Sequence, residues 1–237
     1  MKVRKVSYIF KITMRMENET QNLLYWEELF VDYWKAQEGI ADGSHDLGHF
    51  QRVWKAARHI AREEGGSADL LVLLASAYFH DVVSMPKDSP RRSESSRLSA
   101  EWAGELLVSL GFPAGKIEGV RHAIHAHSFS ARVPALTEEA KILQDADRLE
   151  AVGAIGVARC FYTAGQMDAR LFDAADPLAK GREPNDRVYA LDHFQLKLFK
   201  LPGMMKTATG RRLAEENAEW MRGFVSRLCG EIEGDFG

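Results

Sequence analysis

His80 and Asp81 close the run LLVLLASAYFHDVV, a stretch that offers no polar face to receive them. Burying an imidazole and a carboxylate there is costly unless each meets an opposite charge, a hydrogen-bond partner or a cation. His49 stands in HFQRVWKAARHI and shares a stripe with Val53, Ala56, Ala57 and Ile60, which puts its ring on the core side of a helix. In QDADRLEA, Asp147 shares a face with Leu143, Ala151 and Ala154, whereas Asp145 shares another with Ile142 and Leu149. Both faces are apolar, so periodicity leaves open which acid turns inward. Inward imidazoles and carboxylates of this kind can hold a divalent cation. The alternatives are a buried histidine–aspartate network, a hydrogen-bonded core histidine at position 49, and a salt bridge from either acid to Arg148 or Lys141.

The elements that would carry these residues are helices throughout, since no segment shows a strand alternation bounded by turns. The periodicity predicts helices over Glu17–Gln37, His45–Glu64 (with Ser44 as cap after the turn Gly39–Ser44) and Asp69–Val83. Gly65 and Gly66 break the second from the third. Further helices are expected over Glu94–Leu110, stopped by Gly111-Phe112-Pro113, and over Ile117–His127. Thr137, followed by Glu138 and Glu139, starts a long helix through Asp147 to about Ala164. Val188–Leu201 and Arg211–Glu233 complete the set, with loops at Pro86–Ser96 and Asp168–Arg187. The reading is an all-α chain: residues 1–20 as a leader, disordered or upstream of a natural start at Met14 or Met16, and residues 21–237 as one helical domain.

In order along the chain these residues spell H…HD…D, and here the sequence resembles the HD-domain superfamily of metal-dependent phosphohydrolases. His49, Arg52 and Val53 match its H-x-x-R-V pattern, His80-Asp81 its namesake doublet, and Asp147 in A-D-R-L its closing aspartate. The blocks HDLGHFQRVW, FHDVVSMPKDSPRR, HAHSFSA, ILQDADRLEAVGAIGVARCF and DHFQLKLFKL extend the likeness to the bacterial YedJ-like branch, over about Leu24 to Glu233. The resemblance implies a single HD-type helical bundle with a metal site in its core, formed by His49, His80, Asp81 and Asp147. Two imidazoles and two carboxylates suit Mn, Fe, Co, Ni, Zn or Mg better than Ca. Such a site implies attack of metal-activated water on a phosphoryl group, with Asp81 both ligating and orienting the water. Related nucleotidases often carry HD-x-x-E, but here that glutamate is Ser84, so Asp145, His125 and Glu150 are the candidates to replace it.

Lys87, Arg91 and Arg92 follow the doublet in a polar loop and are placed to clamp phosphate. His125 and His127 are assigned proton-transfer and phosphate-binding roles, the alternatives being a second metal or plain core histidines. A net charge of -3 gives no reason to expect nucleic-acid or membrane binding, and no phosphate-loop, dinucleotide or nucleophile-elbow motif occurs. Cys160 and Cys229, far apart, read as reduced thiols of a cytoplasmic protein. The expected function is hydrolysis of a small phosphorylated metabolite, a nucleotide by pyrophosphohydrolase or nucleotidase action. The alternatives are a cyclic-nucleotide or alarmone phosphodiesterase and a non-catalytic metal- or nucleotide-binding regulatory module.

Overall fold

The computed structural model describes residues 20–37, 46–85 and 91–235, and their regular structure is helical apart from one isolated bridge between Arg170 and Tyr189. The first helix, α1, spans residues 20–36. It is followed by α2 (Leu47–Glu63), α3 (Leu70–Phe79), α4 (Ser95–Ser109), α5 (Ala114–His127) and α6 (Glu138–Leu149). Then come α7 (Gly153–Gln166), the short α8 (Asp192–Leu196) with a tighter 3-10 segment at Leu198–Met204, and α9 (Ala208–Glu233). The expected cap Ser44, its turn and residues 1–19 lie outside the described residues. Among the described residues no helix is long and apolar enough to cross a membrane.

Local chemistry sets these boundaries. Asp46 caps α2 by accepting from the His49 amide, and Asp69 caps α3 by accepting from the Leu71 and Val72 amides. Thr137 and Thr207 do the same for α6 and α9. Gly65 and Gly66 both take positive φ, ending α2 where expected.

The long helix expected from Thr137 to Ala164 is two helices. Gly153 adopts φ 72°, a conformation that breaks the first and starts the second. A side chain on Gly156 would run into the Ala151 carbonyl, so glycine is what lets α7 turn back this tightly. The helix expected over Val188–Leu201 is likewise split into α8 and the 3-10 segment.

Residues 71–79 of α3 are all buried, as an element apolar all round must be. Around it α1, α2, α4, α5 and α6 assemble one apolar cluster. The aromatic side of α1 closes it: Phe30 meets Phe79 at 4.8 Å between ring centres and Trp34 meets Phe50 at 4.7 Å. The Trp34 indole N–H donates to the Tyr78 carbonyl at 3.0 Å, satisfying a polar handle that burial would otherwise strand. A second cluster joins α7, α8, the 3-10 segment and α9 through Val157, Phe194, Leu201 and Met221. Leu149, at the end of α6, packs against both. The acids of α6 therefore lie where the two clusters meet.

Candidate metal centre and adjoining cavity

The last turn of α3 delivers His80, the first turn of α2 delivers His49, and α6 delivers Asp147 to the same place. His49 Nε2 and His80 Nε2 lie 3.2 Å apart. Asp147 Oδ1 is 3.7 Å from the first and 3.6 Å from the second, and Asp81 Oδ2 is 3.8 Å from His80 Nε2. The two imidazoles are wholly buried, while the Asp81 and Asp147 side chains keep 22% and 28% exposure. The imidazoles thus form the floor of the site and the carboxylates its open side.

Hydrogen bonds fix which atoms can ligate. His80 Nδ1 donates to the Ala77 carbonyl at 2.9 Å, and His49 Nδ1 donates to Glu150 Oε2 at 3.2 Å. Each ring therefore turns an Nε2 lone pair toward the other, an apposition that repels unless a proton or a cation lies between them. Bonds of about 2.1 Å to one ion separate neighbouring ligand atoms by about 3 Å and opposite ones by about 4.3 Å. The distances among His49, His80 and Asp147 fall in that range, so these three fit one divalent cation, while Asp81 reaches the group through His80.

The supporting charges agree. Burial would raise the Glu150 carboxyl, but its bonds to His49 and Arg52 outweigh burial and hold it below the usual range. Arg52 Nε reaches both oxygens, at 3.1 and 2.9 Å. Burial pulls the His49 imidazole down more than Glu150 pulls it up, so it is held neutral. Burial also opposes ionisation of Asp147, yet His80 and the other histidines hold its carboxyl well below the ordinary value.

His127 joins the group. Its Nε2 is 3.3 Å from Asp81 Oδ1, and its Nδ1 donates to the Ile124 carbonyl at 2.6 Å. His80, Asp81 and His127 form a second set that could hold an ion, sharing His80 with the first. With Nδ1 anchored, Nε2 is the atom turned to Asp81, and this contact, after that of His80, helps hold the Asp81 carboxyl below its usual range against burial.

Three expected site residues are placed elsewhere. Asp145 is fully buried, and its carboxylate accepts from the Lys206 amide at 2.8 Å, the Thr207 amide at 2.7 Å and the Thr207 hydroxyl at 2.8 Å. It ties α6 to the start of α9, not through a salt bridge and not toward the cation. His125 is half-buried among Arg97, His122 and Glu101, and burial first and then Arg97 lower its pKa. Arg91 is occupied at the surface by Glu94, both contacts being 3.0 Å. Lys87 lies outside the described residues. Arg92 reaches the Met85 carbonyl at 3.0 Å and lines a cavity.

That cavity, about 590 Å³, opens between α7 and the segment from Asp186 to Leu198. Four cationic residues, Arg92, Arg159, Arg187 and Lys197, line it together with Asp186, whose carboxylate holds His193 Nδ1 at 2.7 Å. Arg159 connects the cavity to the ligand cluster: its Nη1 is 3.5 Å from His49 Nδ1 and 3.6 Å from Glu150 Oε2. With Nδ1 carrying the proton, His49 and Arg159 are two donors converging on one carboxylate. Arg159 follows the break at Gly153, so its approach to Glu150 does not show in the spacing of one unbroken helix over 137–164.

Residues 46–152 match the HD domain family. YpgQ of Bacillus subtilis (strain 168), an uncharacterized protein, is 34% identical over 194 residues, which is 80% of this chain and 85% of that protein. The crystal structure of Bacillus subtilis YpgQ in complex with ADP matches with TM-score 0.67 and 31% identity, over 88% of this chain and 99% of that one. A HD-superfamily hydrolase from Bacillus thuringiensis matches with TM-score 0.68 and 27% identity, over 89% and 98%. The chain belongs to the HD-domain family and is a metal-dependent phosphohydrolase of that superfamily. The narrower YedJ-like likeness rests on the sequence blocks alone.

Proposed function

We propose that the chain hydrolyses a phosphate ester or anhydride of a small metabolite, specifically a nucleotide, at the His49–His80–Asp81–Asp147 cluster. The observation that carries the reading is the convergence of His49 Nε2, His80 Nε2 and Asp147 Oδ1 within 3.7 Å of one another, with Asp81 beside His80 and the carboxylate side left open. A divalent cation there supplies Lewis acidity toward a phosphoryl oxygen and makes a water nucleophilic near neutral pH.

The chain's own groups do the rest. Glu150 and the Ala77 carbonyl hold the two rings in the ligating tautomer. Asp81 divides its oxygens between His80 and His127, so it orients whatever sits between them. His127 Nε2 is the group placed to accept the attacking water's proton, in place of the glutamate absent at Ser84. Arg92 and Arg159 bring positive charge to the phosphate. The nucleotide assignment draws support from the ADP complex of YpgQ and from a cavity within the usual size range for such ligands.

A screen of nucleoside mono-, di- and triphosphates with Mn²⁺, Co²⁺, Ni²⁺, Zn²⁺ or Mg²⁺, with Asp81→Ala as control, tests it. Turnover by the wild type and not by the variant is expected, and pyrophosphate against orthophosphate release separates pyrophosphohydrolase from nucleotidase action. Stoichiometric metal with no turnover of any phosphate compound would refute the proposal.

A further inference from the structure

The chain carries a net charge of -3, yet the wall of the cavity beside the ligand cluster gathers four cationic residues against a single carboxylate, Asp186. That carboxylate is already engaged by His193. Among the described residues no carboxylate pairs with Arg92, Arg187 or Lys197, although elsewhere on the surface arginines such as Arg97, Arg212 and Arg227 each meet a glutamate. Uncompensated cations around a concave surface raise the local concentration of anions and select multivalent ones. None of the four ligand residues lines the cavity, so its charge is not there for the cation.

We infer that the wall formed by Arg187, His193 and Lys197, joined to the ligand cluster by Arg159, is a second anion subsite for the phosphates that do not react. Asp186, on the same wall, holds the His193 ring through Nδ1, while Arg187 and Lys197 stand exposed with no carboxylate partner among the described residues. Arg159 spans the two places, with one end against Glu150 and His49 and its flank on the cavity. A substrate that also reaches this wall carries a further anionic group beyond the reacting phosphate, on the Arg159 side of the cluster. The inference rests on the phosphohydrolase reading for calling that anion part of a substrate.

Inorganic pyrophosphate is the probe. Calorimetric titration into the full chain, metal-loaded and after chelation, is expected to show pyrophosphate binding in both states and more tightly than orthophosphate. The double variant Arg187→Ala/Lys197→Ala, at two exposed positions, should weaken pyrophosphate by about tenfold or more in each state, and Arg187→Lys alone should keep most of the affinity. In turnover the loss should fall on KM, more for a nucleoside diphosphate than for an aryl monophosphate. Equal pyrophosphate affinity in wild type and double variant, or no preference over orthophosphate, would overturn the subsite even with turnover intact. A chain that hydrolyses nothing but still loses pyrophosphate on mutation would instead sink the phosphohydrolase reading and leave the subsite standing.

Discussion

Removing the metal and returning it at controlled pH makes a proton and a cation compete for one atom. In the metal-free protein burial pulls the His80 imidazole down, but Asp81, Asp147 and the Ala77 carbonyl outweigh burial and raise it from 6.5 to about 9. Its Nδ1–H is committed to Ala77, so the extra proton sits on Nε2, the ligating atom. At pH 7, two units below that value, about 99% of the molecules hold this proton, and an entering ion must expel it. About one proton per ion should therefore leave at pH 7. Apparent affinity should fall toward tenfold per unit below pH 9, about 50-fold or about 2 kcal/mol between pH 9 and 7. Folding is linked through the same group. Because the folded value lies above the unfolded one, protonated His80 stabilises the metal-free fold fully below pH 6.5. That contribution, about 3 kcal/mol, is lost as pH rises through 9. The gain in Tm on adding Mn²⁺ should accordingly grow from pH 6.5 to 9. Calorimetry in buffers of different ionisation enthalpy counts the protons. Buffer-independent heats with a flat affinity from pH 6.5 to 8.5 would refute the geometry.

Other positions separate the parts of the site. Glu150→Gln removes the charge that His49 Nδ1 and Arg52 share, and should weaken metal about 10- to 100-fold in a chelator competition; unchanged affinity would remove Glu150 from the site. Asp145→Asn leaves the Lys206 and Thr207 donors short of an acceptor, and should cost about 2–3 kcal/mol in denaturant unfolding with metal stoichiometry and turnover kept. A stable but inactive variant would return Asp145 to the chemistry. His127→Gln should lower kcat by about 10²–10⁴ with the acid limb of the pH–rate profile lost, whereas His125→Gln should leave kcat and KM alone. The reverse ranking would show that the wrong histidine of α5 faces the site.

The helical class and the inward face of His49 could be read from the chain because apolar spacing reports burial directly. His80 and Asp81 stood out for the same reason, as polar residues ending a run with nowhere wet to go. Asp145 and Asp147 could not be told apart because both lie on apolar faces. What separates them is a set of donors at Lys206 and Thr207, about 60 positions away, which only folding brings to α6. The break at Gly153 hid a second feature. A single glycine inside a helical pattern is usually tolerated, and what makes this one a boundary is its positive φ, with the Gly156–Ala151 approach beside it. Past that break Arg159 turns toward Glu150, a contact that helical spacing across one unbroken helix does not give.

The same geometry bears on the glutamate missing at Ser84. Ser84 is exposed, and of the three acids and bases expected to compensate, one accepts from the Thr207 cap of α9, one faces α4 and one stands behind His49. None of these can take a proton from a water beside Asp81, since each is turned away or already bonded to a donor. His127, packed against the His80 ring, turns Nε2 to Asp81 Oδ1 with its Nδ1 fixed by Ile124, which is why the proposed proton acceptor is this histidine.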